Sequence, residues 1–433
     1  MLLRFTVDNY RSFGRPTTLD LSASNGLKDN PGKGVSEMGP AGRVLNSIAI
    51  YGANSSGKSN FLMAIGIMRL MVIRSVRLND NEELPYEPFL LSTGEPRPTH
   101  FEIVYYESRT RSIFTYGFEY NESSILREWL YAKMPRKSEK KLLLRELGSD
   151  IHIDEVNYIN DIDVSATRKL NNNRLFLSLA GQIGNGLSNR IIKWFDEDLR
   201  VLSGIEDTYS RYTRRKVYDS EDTRMNVQSF LSKMKLGFDQ FIPNRIDLDK
   251  IGIPQGLPQE IIVQLKKEPI IQISTVHNVY NESGTITDTL MLDLENQESA
   301  GTNKIFNLSG PILEALSGGY TLVIDELDSQ MHPLISCRLV EMFNNPQENP
   351  NSAQLIFTTH DTNLLSRDVF RRDQVWFTEK DSMGRTTLYT MMKAQEINGR
   401  LGHAPRSDSN YQKNYIQGMY GAIPYLTCDA PSE

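Results

Sequence analysis

"GANSSGKSN", residues 52–60, is the stretch that decides the fold. It stands between the apolar run "LNSIAIY" and the apolar run "FLMAIGIMRLMVI". The pattern Gly-four residues-Gly-Lys-Ser is a phosphate-binding loop joining a strand to a helix. Gly52 and Gly57 free the backbone to fold back, so that amides through Asn54, Ser55, Ser56 and on to Asn60 wrap phosphate oxygens. Lys58 would reach the β- and γ-phosphates as a point charge. The Ser59 hydroxyl would ligate Mg²⁺, and the helix N-terminus adds its partial positive charge. The ligand implied by the loop is a nucleotide's phosphates with Mg²⁺.

Two later stretches fit the same chemistry. "TLVIDELD", residues 321–328, is a buried-type strand ending in two acids. Asp325 would hold Mg²⁺ at the strand's carboxyl end, and Glu326 would orient or deprotonate the attacking water. Asp325 follows Gly52 by 273 residues (325 − 52), so a compact small GTPase is excluded and a large insertion is required. "IFTTHD", residues 356–361, is another apolar strand, and His360 at its end is placed to hydrogen-bond a γ-phosphate. Lys58, Glu326 and His360 are the candidate catalytic residues; Ser59 and Asp325 are the candidate metal ligands.

Composition is that of ordinary globular material, with 39% hydrophobic and 24% charged residues, and a formal net charge of −6 does not mark a nucleic-acid binder. Cys337 and Cys428 are far apart with only His332 nearby, which excludes a disulfide framework or structural zinc and fits reduced thiols in cytoplasm. No signal peptide is read at the N-terminus. The longest apolar run has 13 residues and contains Arg69, too short for a bilayer, so it is expected to be a buried helix.

Along the chain, "MLLRFTVDNYRSF" reads as an edge strand with "TTLDLSA" as its return partner, and residues 24–43 as a loop. Residues 99–133 alternate as three antiparallel strands, with "SRTR" and "NESS" as turns. "KMPRKSEKKLLLRELGS" reads as a solvated basic hairpin arm, with phosphate contact as the sharper alternative. Residues 187–268 take helical spacing. "PIIQISTVHNVYNESGTITDTLMLDLE" returns to strands around "NESG", and "QVWFTEKDSMGRTTLYTM" reads as a last hairpin. The expectation is an α/β fold with a mixed sheet core, an antiparallel β subdomain and a helical insertion. It divides into an N-terminal lobe at 1–186, the insertion at 187–268 and a C-terminal lobe at 269–433, making one composite head.

Taken together, "LLRFTVDNYRSF", "GANSSGKSN", "ESAGT", "LVIDELDSQMHP", "FTTHD", "VWFTEKD" and "KNYIQGMYGAIPYL" resemble the ABC-type P-loop NTPase heads of the SMC/RecF/OLD group of AAA family ATPases. Within it they resemble most the AbiLi and RloA type of anti-phage (abortive infection) ATPase. The resemblance spans nearly the whole chain, with residues 135–270 least covered. It implies a signature segment that caps the nucleotide of a second copy.

Two stretches compete for that role. "LSGG" at 316–319 has Ser317 only eight residues before Asp325 (325 − 317), leaving no room for a signature helix and then a strand. It reads instead as a glycine turn ending a helix. "ESAGT" at 298–302 is followed by the helical "TNKIFNLSGPILEAL", which Pro311 is expected to kink or restart. Ser299 and Gly301 are therefore the candidate γ-phosphate caps, with Asp328 as the D-loop residue. Gln182 is a candidate Q-loop residue, against the reading of a plain turn.

The resemblance implies a homodimer that closes on ATP, with higher-order assembly open. It also implies a separately encoded nuclease or toxin effector of Toprim type and a phage-encoded trigger. Glu379 and Asp381 read as turn residues or tail contacts rather than as the chain's own nuclease metal site. Two alternatives stay open: a RecF- or SMC-like repair head that binds DNA directly, and a nucleotide-dependent scaffold with negligible turnover.

Overall fold

The computed structural model describes residues 1–27, 33–149, 151–154, 158, 170–202, 208–246, 270–393 and 409–424. By internal contacts the chain forms two units. One comprises Met1–Ser203, Ala315–Leu327 and Cys337–Glu433; the other comprises Gly204–Glu314 and Asp328–Ser336.

The first unit carries a six-stranded sheet in the order Leu199–Leu202, Thr321–Ile324, Gln354–Thr358, Ser47–Gly52, Val375–Lys380, Thr386–Thr390. The first five strands run parallel and the last is an antiparallel hairpin partner. The strands Thr321–Ile324, Gln354–Thr358 and Ser47–Gly52 are buried along their full length, which is why they read as apolar runs rather than as alternations. Ser47–Gly52 runs directly through the glycine loop into the helix Lys58–Arg74. That helix buries Phe61, Leu62, Ala64, Ile65, Met68, Met71 and Val72. The run Lys58–Arg77 is long and apolar enough to span a bilayer by length and composition alone, but these contacts make it a core helix.

The same unit holds a seven-stranded antiparallel sheet in the order His152–Ile153, Lys140–Glu146, Ile125–Lys133, Ser112–Tyr120, Thr99–Glu107, Leu2–Asp8, Thr17–Asp20. The three expected strands between 99 and 133 are all present. Leu2–Asp8 is not the edge strand expected, because it pairs on one side with Thr17–Asp20 and on the other with Thr99–Glu107. Its apolar face explains this, since Phe5 packs edge-on to Phe61 and against Phe101. The basic arm is a hairpin, as expected, but its returning strand is not solvated throughout. Leu142 and Leu143 are fully buried, which draws Lys140–Glu146 into the sheet, with Arg145 buried beside them and Lys140 and Lys141 left outside.

One side chain ties the two sheets together. Buried Gln354 accepts from the Leu2 amide at 2.6 Å and from the Thr321 hydroxyl at 2.9 Å. It donates to the carbonyls of Leu2 and Leu45 at 2.9 and 3.0 Å. All four of its hydrogen-bonding sites are thus used without water.

The second unit contains the helices Thr208–Asp219 and Glu221–Met234 and a three-stranded antiparallel sheet, Gln240–Arg245, Ile271–Tyr280, Ile286–Asp293. The helical expectation for 187–268 is interrupted by two strands, Leu199–Leu202, which joins the six-stranded sheet, and Gln240–Arg245, and residues 247–269 lie outside the described ones. The helix Ala300–Gly318 runs through Pro311 without a restart, one of the two outcomes expected there. Proline cannot donate to the carbonyl four residues back. The orphaned Asn307 carbonyl takes the Thr213 hydroxyl instead, and Gly310 leaves room for it: a Cβ there would lie 2.6 Å from Thr213 Oγ1. Thr213→Val is expected to destabilise the fold by about 1–2 kcal/mol, read as a shift of the denaturant midpoint at constant slope.

Candidate functional site

The phosphate loop is a left-handed turn held by hydroxyls from elsewhere in the first unit. Ser55 has φ +62° and Gly57 has φ +110°. A Cβ on Gly57 would lie 2.8 Å from Thr386 Cγ2, and one on Gly52 would lie 2.6 Å from the Thr378 carbonyl oxygen, so both positions are closed to side chains. Ser56 Oγ lies 2.6 Å from Thr378 Oγ1, and the Thr386 hydroxyl donates to the Ser56 carbonyl at 2.8 Å. Thr386 also bonds Ser12 Oγ at 2.8 Å, and Ser12 Oγ accepts from Asn60 Nδ2 at 2.9 Å. Asn54 and Ser55 are exposed, while Ser59 and Asn60 are half-buried.

Lys58 starts the helix and is buried to 6% exposure. Its ammonium donates to the Gly52 and Ala53 carbonyls at 2.8 and 3.0 Å, which holds the charge at the mouth of the loop.

Asp325, Glu326 and His360 reach the same edge of the sheet because the strands are parallel and in register. Ile324 pairs with Phe357, and Thr358 pairs with Ile50. Asp325 therefore leaves its strand two strands, about 10 Å, from the phosphate-loop strand. Ligand sites of open parallel sheets form at these carboxyl ends. Thr358 organises the acidic turn. Its hydroxyl donates to Asp325 Oδ1 at 2.5 Å and accepts from the Glu326 amide at 2.7 Å, while its carbonyl accepts from Leu327 N at 3.1 Å. Glu326 is exposed and holds φ +49°, a conformation that disfavours a side chain by about 1–2 kcal/mol and that these bonds offset.

His360 is exposed just past the end of its strand. The turn that carries it is braced by the Tyr51 hydroxyl, which donates to the Asp361 carbonyl at 3.2 Å. The C-terminal tail backs this corner. Tyr415 and Tyr420 stack on Phe377, and Gln412 reaches Thr362 at 3.3 Å. Glu379 and Asp381 are occupied structurally: Glu379 accepts from Tyr389, and Asp381 accepts from the amides of Met383 and Arg385 and from the Arg385 guanidinium.

The remaining candidates fall elsewhere. Ser299 caps the helix Ala300–Gly318: it is exposed, and its hydroxyl accepts from Thr302 N at 3.1 Å. Gly301 lies so close to the 328–331 turn that a Cβ would sit 2.5 Å from the Gln330 carbonyl oxygen, and Lys304 bonds Ser329. Ser299, Gly301 and Asp328 are thus grouped in the second unit. The "LSGG" stretch ends the helix as expected, with Gly319 at φ +74°.

Gln182 is not brought to the phosphate loop. It ends the helix Phe176–Gln182, which packs by Ser178 Oγ on the Val72 carbonyl. That contact is about 20 Å along the helix from Lys58. Leu175, Phe176, Leu177 and Ala180 are buried, and this apolar face draws the segment to the far end.

Ser12, Thr358, Thr378 and Thr386 were missed by sequence reasoning. For the three threonines the one visible signal is a hydroxyl at a position that should be buried in "IFTTHD", "VWFTEK" and "RTTLYT"; Ser12, in "NYRSF", shows none.

A triphosphate and Mg²⁺ fit the residues present: a cradle of amides that a Cβ would fill, an ammonium at its mouth, and a hydroxyl with a carboxylate as oxygen donors. Among the described residues no cluster of three or more His, Cys, Asp or Glu offers another metal site.

Among solved structures, the chain is similar to the SMC head domain from Thermotoga maritima, with 12% identity, a TM-score of 0.39, and 90% of this chain and 98% of that chain covered. It is similar to the Smc head domain with a coiled coil and joint derived from Pyrococcus yayanosii, at 10% identity, TM-score 0.34, and 90% and 96% coverage. The recombination mediator protein RecF-ATPrS in the RecFOR pathway gives 14% identity, TM-score 0.34, and 90% and 98% coverage. These superpositions are loose. A search among curated proteins found no match. Residues 47–366 match the family described as "AAA domain, putative AbiEii toxin, Type IV TA system", and this span runs from the strand that feeds the phosphate loop to just past His360. The chain belongs to that AAA domain family.

Proposed function

We propose that this chain binds ATP with Mg²⁺ and hydrolyses it as an ABC-type head, and that two copies close on the nucleotide and separate after hydrolysis. The observation that carries the reading is the convergence of Lys58, Asp325 and Glu326 at the carboxyl ends of strands in one parallel, in-register sheet. The exposure of Ser299 at a helix start supports the part played by a second copy, since a buried segment could not face another subunit's phosphate.

In this reading Lys58 and the loop amides bind the phosphates, and Ser59 and Asp325 supply oxygens to the metal. Bound Mg²⁺ would supply charge neutralisation on the phosphate oxygens. Thr358 holds Asp325 toward the metal and fixes the turn from which Glu326 orients water. His360 donates to the γ-phosphate, and the second copy's Ser299 segment closes the site. Catalysis and dimer closure are then thermodynamically linked, which suits a switch rather than metabolic turnover. We place the switch in an anti-phage system, as sensor or scaffold for a separate Toprim-like nuclease. The toxin and TA-system description of the family supports this placement, as does the structural use of Glu379 and Asp381.

A second reading, direct DNA binding, is favoured by one observation. Lys133, Arg136, Lys137, Lys140 and Lys141 are all exposed around one hairpin tip.

Lys58→Ala is expected to abolish ATP binding, and Glu326→Gln to trap an ATP-dependent dimer on gel filtration; a monomer with ATP in both the wild type and Glu326→Gln rejects the mechanism. Thr358→Val should retain ATP affinity and lose about ten- to a hundredfold in kcat, measured by steady-state phosphate release. If DNA is bound directly, neutralising three of the tip cations should reduce the slope of log K against log salt by about 3; salt-independent or absent binding removes that reading.

A further inference from the structure

We infer that His277 and Thr275 are positioning residues for the Ser299 segment, acting by holding the Glu298 carboxylate away from the helix start. The inference rests on the role given to Ser299 above. Glu298 Oε1 lies 2.6 Å from the Thr275 hydroxyl and 2.7 Å from His277 Nε2, and Thr275 Oγ1 and His277 Nε2 are 3.1 Å apart. Thr275 is fully buried, and the Glu298 and His277 side chains are only 11% and 23% exposed. The Phe238 ring meets the imidazole edge-on at 6.2 Å between centroids. Both donors sit on the middle strand of the three-stranded sheet, hydrogen-bonded on each side.

Glu298 immediately precedes the helix cap, so its placement passes to Ser299 through a single peptide unit. On the other flank, Gly301 rests on the Gln330 carbonyl and Lys304 on Ser329. The helix start is therefore gripped from both sides while Ser299 itself stays exposed.

The clamp has a second consequence. A carboxylate beside a helix N-terminus is attracted to the free amides there. Released, Glu298 would occupy the donors that a phosphate needs and would repel the phosphate charge. Held by His277 and Thr275, it leaves those amides to the incoming anion. Removing His277 should therefore harm the site more than removing Glu298.

The test compares His277→Ala, Glu298→Ala, the double variant, Thr275→Val and Ser299→Ala in the full chain. Each is measured by ATP-dependent dimerisation on gel filtration, by steady-state kcat and by affinity for a fluorescent ATP analogue. His277→Ala is expected to lower kcat about tenfold with analogue affinity unchanged. Glu298→Ala should be milder, and the double variant should recover to the Glu298→Ala level. If His277→Ala fails to fold, Thr275→Val, which keeps the shape and removes one donor, should show the same pattern more weakly. Clamp variants with wild-type kcat and dimerisation beside an impaired Ser299→Ala overturn the clamp alone. A silent Ser299→Ala overturns the reading of the site beneath it. Analogue affinity falling in step with kcat, or a double variant as poor as His277→Ala, shows mere structural damage and also overturns the proposal.

Discussion

The Thr358 hydroxyl is the contact on which the acidic half of the site depends. One oxygen donates to Asp325 and accepts from the Glu326 amide. It can do both only because the strands Thr321–Ile324 and Gln354–Thr358 run parallel with Ile324 level with Phe357. A slip of one residue would reverse every side chain between the two faces of the sheet and point Thr358 away from the acids. The register is secured at the opposite end by Gln354, whose amide spans the Leu2–Asp8 strand, the Leu45 carbonyl and Thr321. The same residues that join the sheets thus also set the reach of the acids toward the phosphate loop.

Hydroxyl groups recur as the means of control. Ser12, Thr378 and Thr386 hold a phosphate loop whose own backbone is left-handed at Ser55 and Gly57. Thr213 satisfies the carbonyl that Pro311 orphans, and Thr275 holds Glu298. A buried hydroxyl is small enough for a close-packed core and can donate and accept at once, so it fixes polar backbone without bringing in charge. Among the groups around the loop, Lys58 is the buried charge, and two carbonyls meet it.

The loop at 52–60, the Asp325–Glu326 turn, the helix end at 316–319 and the strands between 99 and 133 were legible in the sequence. Each rests on a local rule: glycine at a left-handed position, an apolar run ending in acids, or alternation at a period of two. The burial of Leu2–Asp8 within its sheet, the recruitment of Leu142 and Leu143, and the unbroken helix through Pro311 were not legible. Each depends on a partner far away in the chain: Phe61 and Phe101 for the first, the Ile125–Lys133 strand for the second, and Thr213 for the third. The place of Gln182 was not legible for the same reason, because its helix packs on the far end of Lys58–Arg74.

By itself, then, the sequence determined the glycine loop, the lysine that opens its helix and the strand that ends in two acids, since each rests on residues adjacent in the chain. Only the tertiary structure decided which hydroxyls steer them, because a threonine inside an apolar run shows no sign of its partner until the strand register brings the two within hydrogen-bond reach.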